Sequence, residues 1–277
     1  MPIPDIPDNT PLPKALARIT HLGIGAHADD LEFMAFHGIA QCHQSPNHWF
    51  GGVTCSDGSG CSRSGPFANF TDDQMKAARA KEQTQAAEVG KYAAQWQLDY
   101  PSAAIKDSAN SPLVPELSEI IKATKPNTIY THNLADKHDT HVAVTTAVIA
   151  ALRSLPEDVH PEQLLGCEMW RDLDWMLAPD KVPLDNSNHD NLAKELNEVF
   201  QSQISGGKRY DRAVLGRRYA NATFFSSHTT DDTDQLWFAM DLTPLMKDPS
   251  LDPIDFTTAH IDRFRQDVAD RIKRYSP

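Results

Sequence analysis

Apolar and polar positions alternate between two periods along the first part of the chain. Ile19 to Gly25 is a short, half-apolar run of strand character, and from Leu31 to Gln41 the residues Leu31, Met34, Ala35, Gly38 and Ile39 recur at helical spacing. The same alternation then repeats. Trp49 to Cys55 reads as a strand, Asp73 to Gln95 as a long helix, Gln97 to Tyr100 as a shorter strand and Pro115 to Thr124 as a proline-bounded helix. Asn127 to Thr131 follows as a strand, and Val142 to Leu155 as a helix rich in Ala, Val, Ile and Leu. Strands alternating with helices predict an α/β fold, a three-layer Rossmann-like architecture on a mainly parallel sheet. The Gly- and Ser-rich stretch from Asp57 to Thr71 is a loop long enough to cover a site.

Beyond Leu155 the periodicity weakens. Gln163 to Trp170 predicts a further strand, Leu192 to Ile204 an amphipathic helix, Leu236 to Leu242 a buried or edge strand and His260 to Tyr275 a closing helix. Lys208 to Arg218 is locally basic and reads first as a solvated helix face. Ser226 to Asp234 reads as an exposed polar turn, with His228, Asp231 and Asp232 solvated. The expected organisation is one domain over 1–277, with a core at about 17–170 and C-terminal helices plus an edge strand at about 190–277.

Composition narrows the partners. At 277 residues and 40% hydrophobic content the chain can bury a sizeable core. A net charge of -12 argues against nucleic acid and anionic membrane as partners, because both attract a basic face. No run approaches the roughly 18 apolar residues of a bilayer span. The Pro-rich start, Met1 to Pro13, lacks the apolar centre of a signal peptide, and Cys42, Cys55, Cys61 and Cys167 form no CxxC pair. A cytoplasmic protein with free thiols is expected.

Two polar clusters carry the chemistry. Ala26-His27-Ala28-Asp29-Asp30 lies on the turn from the first strand into a helix, and His138-Asp139-Thr140-His141 on the corresponding turn after Asn127–Thr131. In open α/β sheets that edge is where ligands bind, near a switch in strand order. Two His and one Asp supply the three protein ligands typical of a catalytic zinc. Asp29 and Asp30 point in different directions on a turn, so one can bind metal while the other acts as a base; spacing alone does not say which. His138 and His141, three apart, share one side of a helical turn. A helix N-terminus keeps His141 neutral, as a metal ligand must be. An Asp pair before a helix is also an ordinary N-cap, and with 12 His an HxxH arises by chance. The matched placement after two strands favours a site.

Ala26-His27-Ala28-Asp29-Asp30-Leu31-Glu32 resembles the AHPDD(x)E signature of the PIG-L/LmbE-like family of zinc-dependent N-deacetylases, and His138-Asp139-Thr140-His141 its later HxxH element. The likeness continues between them. Val53 to Gly60 resembles the family's strand ending in a T/S-D-G turn, Arg79-Ala80-Lys81-Glu82 its RxxE helix, and Lys125 to Ile129 its R-P-D-x-V strand entry. The resemblance covers about residues 19 to 155. It implies one Zn2+ per chain held by His27, Asp30 and His141, Asp29 as general base, His138 facing the substrate carbonyl, and Arg79 reaching the sugar. Three departures stand out: Ala28 replaces the family's Pro, Tyr100-Pro101-Ser102 lacks an Asp often found there, and Asp139-Thr140 replaces the Pro-Asp of HPDH. Asp136 or Asp139 is then left to orient His138. Trp170 and Arg171, at a predicted strand end, and Arg218, in the basic stretch, complete the candidate substrate contacts.

The expected function is zinc-dependent removal of an N-acetyl group from an N-acetylated amino sugar or glycoconjugate, releasing acetate and a free amine. The alternatives are an amidase on another N-acyl or thiol-sugar conjugate with the same centre, and a non-catalytic sugar- or metal-binding protein. The C-terminal additions leave room for a homo-oligomer.

Overall fold

The computed structural model describes residues 1–277. Its strands are β1 (His21–Gly25), β2 (Phe50–Ser56), β3 (Ala94–Tyr100), β4 (Thr128–His132), β5 (Gln163–Cys167), β6 (Lys181–Asp185) and β7 (Leu236–Asp241). They form one seven-stranded sheet in the order β3-β2-β1-β4-β5-β7-β6. β1 to β5 are parallel, β7 runs antiparallel to β5, and β6 antiparallel to β7. The chain winds outward from β1 to β3 and then returns to place β4 on the other side of β1. Strand order therefore switches between β1 and β4, and the loops leaving their C-terminal ends diverge to open a crevice.

The helices are α1 (Leu12–Ala17), α2 (Asp30–Met34), α3 (Phe36–Cys42), α4 (Asp72–Val89), α5 (Ser102–Lys106), α6 (Leu113–Thr124) and α7 (Asp139–Arg153). The C-terminal part adds α8 (Asp190–Val199), α9 (Gln201–Ile204), α10 (Tyr210–Phe224), α11 (Thr243–Lys247) and α12 (Pro253–Tyr275). Every residue of β2 and β4 is buried, so both faces of the sheet need cover. On one face Leu22, Ile24, Val53, Ile129 and Leu164 pack with Leu117 and Ile121 of α6 and Val144 and Val148 of α7. On the other, Phe50, Tyr130 and Trp237 pack with Leu31 of α2, Phe36 of α3, Leu196 of α8 and Val214 of α10. Three layers result, as the alternating pattern predicts.

Several boundaries differ from the sequence expectation. The helix expected over Leu31–Gln41 is broken at Ala35, whose φ of -101° and ψ of 15° depart from helical values. The helix expected to reach Gln95 stops at Val89, and Lys91, with φ of 53°, turns the chain into β3. α12 begins at Pro253 because Asp252 accepts from the amides of Ile254 and Asp255 at 2.7 and 3.1 Å. Of the two readings of Leu236–Leu242, buried or edge, the structure gives the first: β7 lies inside the sheet, between β5 and β6. The edge beyond it is β6, of whose five residues only Leu184 is buried, and an edge position tolerates Pro183. All four cysteines are free thiols. No helix is long and apolar enough to cross a membrane.

Candidate metal centre and active site

The turn from β1 into α2 brings the first cluster to the crevice. A Cβ on Gly25 would stand 3.0 Å from the Asp30 Cβ and 3.2 Å from Leu31 Cδ2, so glycine lets α2 fold back onto the strand end. Asp29 adopts φ of 95°, a left-handed conformation that costs a non-glycine residue on the order of 1–3 kcal/mol. α4 holds it there. The Arg79 guanidinium donates to the Ala28 carbonyl, and Gln83 Oε1 accepts from the Asp29 amide at 3.4 Å. Gln83 also donates to Glu32 Oε1 at 2.8 Å, as does the Tyr92 hydroxyl. Glu82 meanwhile accepts from the amide and hydroxyl of Ser202 at 2.7 and 2.5 Å, tying α4 to α9. Arg79 lies under Gly58, where φ is 69° and a Cβ would stand 2.6 Å from the Arg79 Cδ. The Thr-Cys-Ser-Asp-Gly turn and the RxxE helix thus support the Ala28–Asp29 backbone together.

Three donor atoms converge beside that turn. Asp30 Oδ2 lies 3.2 Å from His27 Nδ1 and 3.4 Å from His141 Nε2, and the two nitrogens are 3.2 Å apart. Ligands about 2.0–2.1 Å from a tetrahedral zinc stand roughly 3.3–3.4 Å from one another. The triangle is of the right size. Asp136 Oδ2 accepts from His141 Nδ1 at 2.8 Å, which leaves Nε2 as the unprotonated donor, while Asp136 Oδ1 accepts from the amides of Lys137 and Arg171 at 2.6 and 3.0 Å. Burial lowers His141 to about 4, so its imidazole is neutral at pH 7.

The adjacent carboxylates are electrostatically different. Burial pushes the Asp29 carboxyl well above its ordinary range; Arg79 opposes the shift, and the charge of Asp30 reinforces it. Burial acts on Asp30 too, but the imidazoles of His141 and His132 and a hydrogen bond from His27 outweigh it, holding Asp30 well below the usual carboxylate range. Asp29 is proton-seeking, whereas Asp30 stays ionised. Asp29 Oδ2 makes no hydrogen bond, and the Arg79 Nη2 stands 3.7 Å away.

His132, at the end of β4, is not among the residues that the sequence singles out. It is fully buried and its ring stacks on His141 with centroids 3.7 Å apart. Its Nε2 faces both the Ala26 amide at 3.0 Å and Asp30 Oδ2 at 3.3 Å. One ring nitrogen cannot accept from the first and donate to the second. The backbone amide can only donate, so Nε2 accepts and its lone pair is taken, which leaves three free donors rather than four. The missed signal is positional: His132 directly follows the predicted strand, on the edge where ligands bind.

His138 stands at the mouth of the centre, its ring centroid 4.8 Å from His27 and 4.5 Å from His141. Neither candidate orients it: Asp136 is engaged by His141, Asp139 is exposed, and His138 Nδ1 has no partner. Burial lowers its proton affinity.

These groups line a cavity of about 390 Å³ that includes His27, Asp29, Asp30, Arg79, His138 and Trp170, together with Cys61, Ser62 and Gly60 from the covering loop. His141 lies fully buried beside them. The structure does not bring Arg171 or Arg218 to this cavity. Arg171 is exposed on a separate groove beside α12; only its backbone amide serves the centre, through Asp136. Arg218 is fully buried on α10, donating to the carbonyls of Glu32 and Phe33 at 3.2 and 3.3 Å and lying 4.1 Å over the Phe36 ring. It closes the last turn of α2 from behind. Arg79 does line the cavity, although its guanidinium is turned to the Ala28 carbonyl.

Several solved structures share this mainly parallel seven-stranded α/β fold. The N,N'-diacetylchitobiose deacetylase from Pyrococcus horikoshii superposes with a TM-score of 0.62 at 13% identity, covering 83% of this chain and 85% of that one. A conserved protein from Thermus thermophilus gives 0.61 at 17% identity, covering 80% and 94% of the two chains. GalB, the 4-carboxy-2-hydroxymuconate hydratase from Pseudomonas putida, gives 0.60 at 17% identity, covering 81% and 96%. The fold thus hosts more than one chemistry. Residues 22–152, just under half of the chain, match the family model PIG-L: GlcNAc-PI de-N-acetylase. Comparison with curated proteins gives no significant match.

Proposed function

We propose that this protein is a zinc-dependent N-deacetylase that hydrolyses the acetamide of an N-acetylated amino sugar or its conjugate. The observation that carries the reading is the division of labour between neighbours: Asp30 ionised within a triangle of donors 3.2–3.4 Å on a side, and Asp29 beside it with raised proton affinity and a free oxygen. His27, Asp30 and His141 hold the metal. When bound, zinc supplies a Lewis acid that polarises the amide carbonyl and lowers the pKa of water toward about 7.

The remaining chemistry belongs to the chain. Asp29 takes a proton from the attacking water, a role suited to a carboxylate whose proton affinity burial has raised. As the new C–O bond forms, negative charge grows on the carbonyl oxygen, and an imidazole N–H of His138 meets it from the cavity mouth. Asp29 then returns its proton to the amine nitrogen as the C–N bond breaks, releasing acetate and a free amine. Arg79 and Gln83 keep Asp29 in its left-handed conformation throughout, and a binding protein has no need of that strain. The test is acetate release by zinc-loaded protein from a panel of N-acetylglucosamine derivatives. Activity on at least one derivative, lost in Asp29→Ala, is expected; no release from any member by protein carrying a full zinc complement refutes the reading. Activity confined to acyl chains on non-sugar amines shifts it to the amidase alternative.

A further inference from the structure

Two carboxylates, Asp29 and Asp30, sit on the floor of the cavity, and no other acidic residue lines it. The mouth is basic. Lys106, the last residue of α5, and Lys208, just before α10, both line it. The Nζ atoms of Lys208 and Lys137 stand 5.0 and 5.9 Å from the ring centre of Trp170, at the same mouth. Like most lysines of the chain, Lys106, Lys137 and Lys208 form no ion pair, in contrast to Lys76, Lys125, Lys181 and Lys194, so no carboxylate neutralises their charge at the mouth. In a chain with 38 acidic residues to 26 basic ones, a mouth free of acids and lined by unpaired ammonium groups reverses the average charge of the surface. Such a reversal, walled by low-dielectric protein, concentrates anions at the entrance. The aromatic plate of Trp170 anchors two of the charges in place.

Resting on the deacetylase reading, we propose that the substrate carries an anionic group, a phosphate, sulfate or carboxylate, on the part of the sugar conjugate that remains at the mouth while the acetamide reaches the floor. Lys106 and Lys208 set this specificity, with Lys137 adding to the field. Exposed pairs of this kind are worth a few-fold each, so the expected preference is roughly tenfold for two or three lysines acting together.

The experiment compares kcat/KM for N-acetylglucosamine with that for its 6-phosphate, its 6-sulfate and N-acetylmuramic acid, using the full-length zinc-loaded protein. The anionic sugars are expected to be preferred about tenfold at low salt, and the preference should shrink as the screening length falls from about 10 Å at 0.1 M salt to roughly 3 Å at 1 M. The double substitution Lys106→Gln/Lys208→Gln should reduce the ratio several-fold, whereas Lys122→Gln, on α6, should leave it as in the wild type. Equal use of neutral and anionic sugars, or a preference indifferent to salt and to the double substitution, overturns the proposal while leaving the deacetylase standing. Calorimetric binding of the same sugars keeps the two separable. Tighter, salt-sensitive binding of the anionic sugars without acetate release sustains the anionic site and sinks the deacetylase.

Discussion

Asp136 offers the sharpest test of how the centre is held. Its carboxylate accepts from three N–H groups at once, His141 Nδ1 on one oxygen and the amides of Lys137 and Arg171 on the other. An Asn at this position has a single oxygen. In Asp136→Asn it satisfies either the imidazole or the two amides, and its own NH2 faces whichever donors remain. If the imidazole loses, His141 is free to rotate or to move its proton to Nε2, the atom that faces Asp30. Partners of this kind are worth 10- to 100-fold in metal affinity, or about 1.4–2.7 kcal/mol. The assay is competition for zinc against a chromophoric chelator, with Asp136→Asn and Asp136→Ala beside the wild type and Asp139→Asn as the exposed control. Both Asp136 variants should weaken zinc by at least tenfold and Asp139→Asn should not. Wild-type affinity in the Asp136 variants, or an equal loss in Asp139→Asn, refutes the assignment of Asp136 to His141.

Other predictions follow from buried charges. Arg218→Ala removes a fully buried side chain and its bonds to the α2 carbonyls, and should cost about 3–5 kcal/mol in urea unfolding; a raised KM with unchanged stability would instead return Arg218 to the substrate. Burial raises Glu168 from 4.5 to about 7, even though it accepts from the amides of Phe238 and Leu173. Between those values the unfolded chain has lost this proton while the folded one keeps it, so the contribution of Glu168 to stability falls by about 3 kcal/mol as pH rises through the window. Glu168→Gln should therefore gain on the wild type by about that amount between pH 4.5 and 7 in unfolding titrations; parallel pH profiles contradict the shift.

How far the sequence is legible depends on how local each signal is. The β1–α2 and β4–α7 turns can be read because periodicity changes from strand to helix at His27–Asp30 and again at His138–His141, and polar residues gather at both changes. His132 is hidden because it stands at the end of a wholly buried strand, where a histidine reads as core. Arg218 misleads because neighbouring basic residues suggest a solvated face. The corrective pattern lies in the same helix: Val214, Arg218, Asn221 and Ala222 recur at helical spacing and are all buried. β6 gives no periodic signal, since a strand at the sheet edge with one buried side chain is defined by its pairing with β7 and not by its own residues. The support that Arg79 and Gln83 give to Asp29 depends on a left-handed turn and a helix distant in sequence, which no local pattern encodes.

The central claim is that two adjacent carboxylates do different work on one metal. Zinc content and acetate release, measured together on Asp29→Ala and Asp30→Ala, test it most directly. The account predicts about one zinc per chain and no turnover for Asp29→Ala, and loss of both for Asp30→Ala. An Asp29→Ala protein that deacetylates normally, or an Asp30→Ala protein that keeps its zinc, contradicts it.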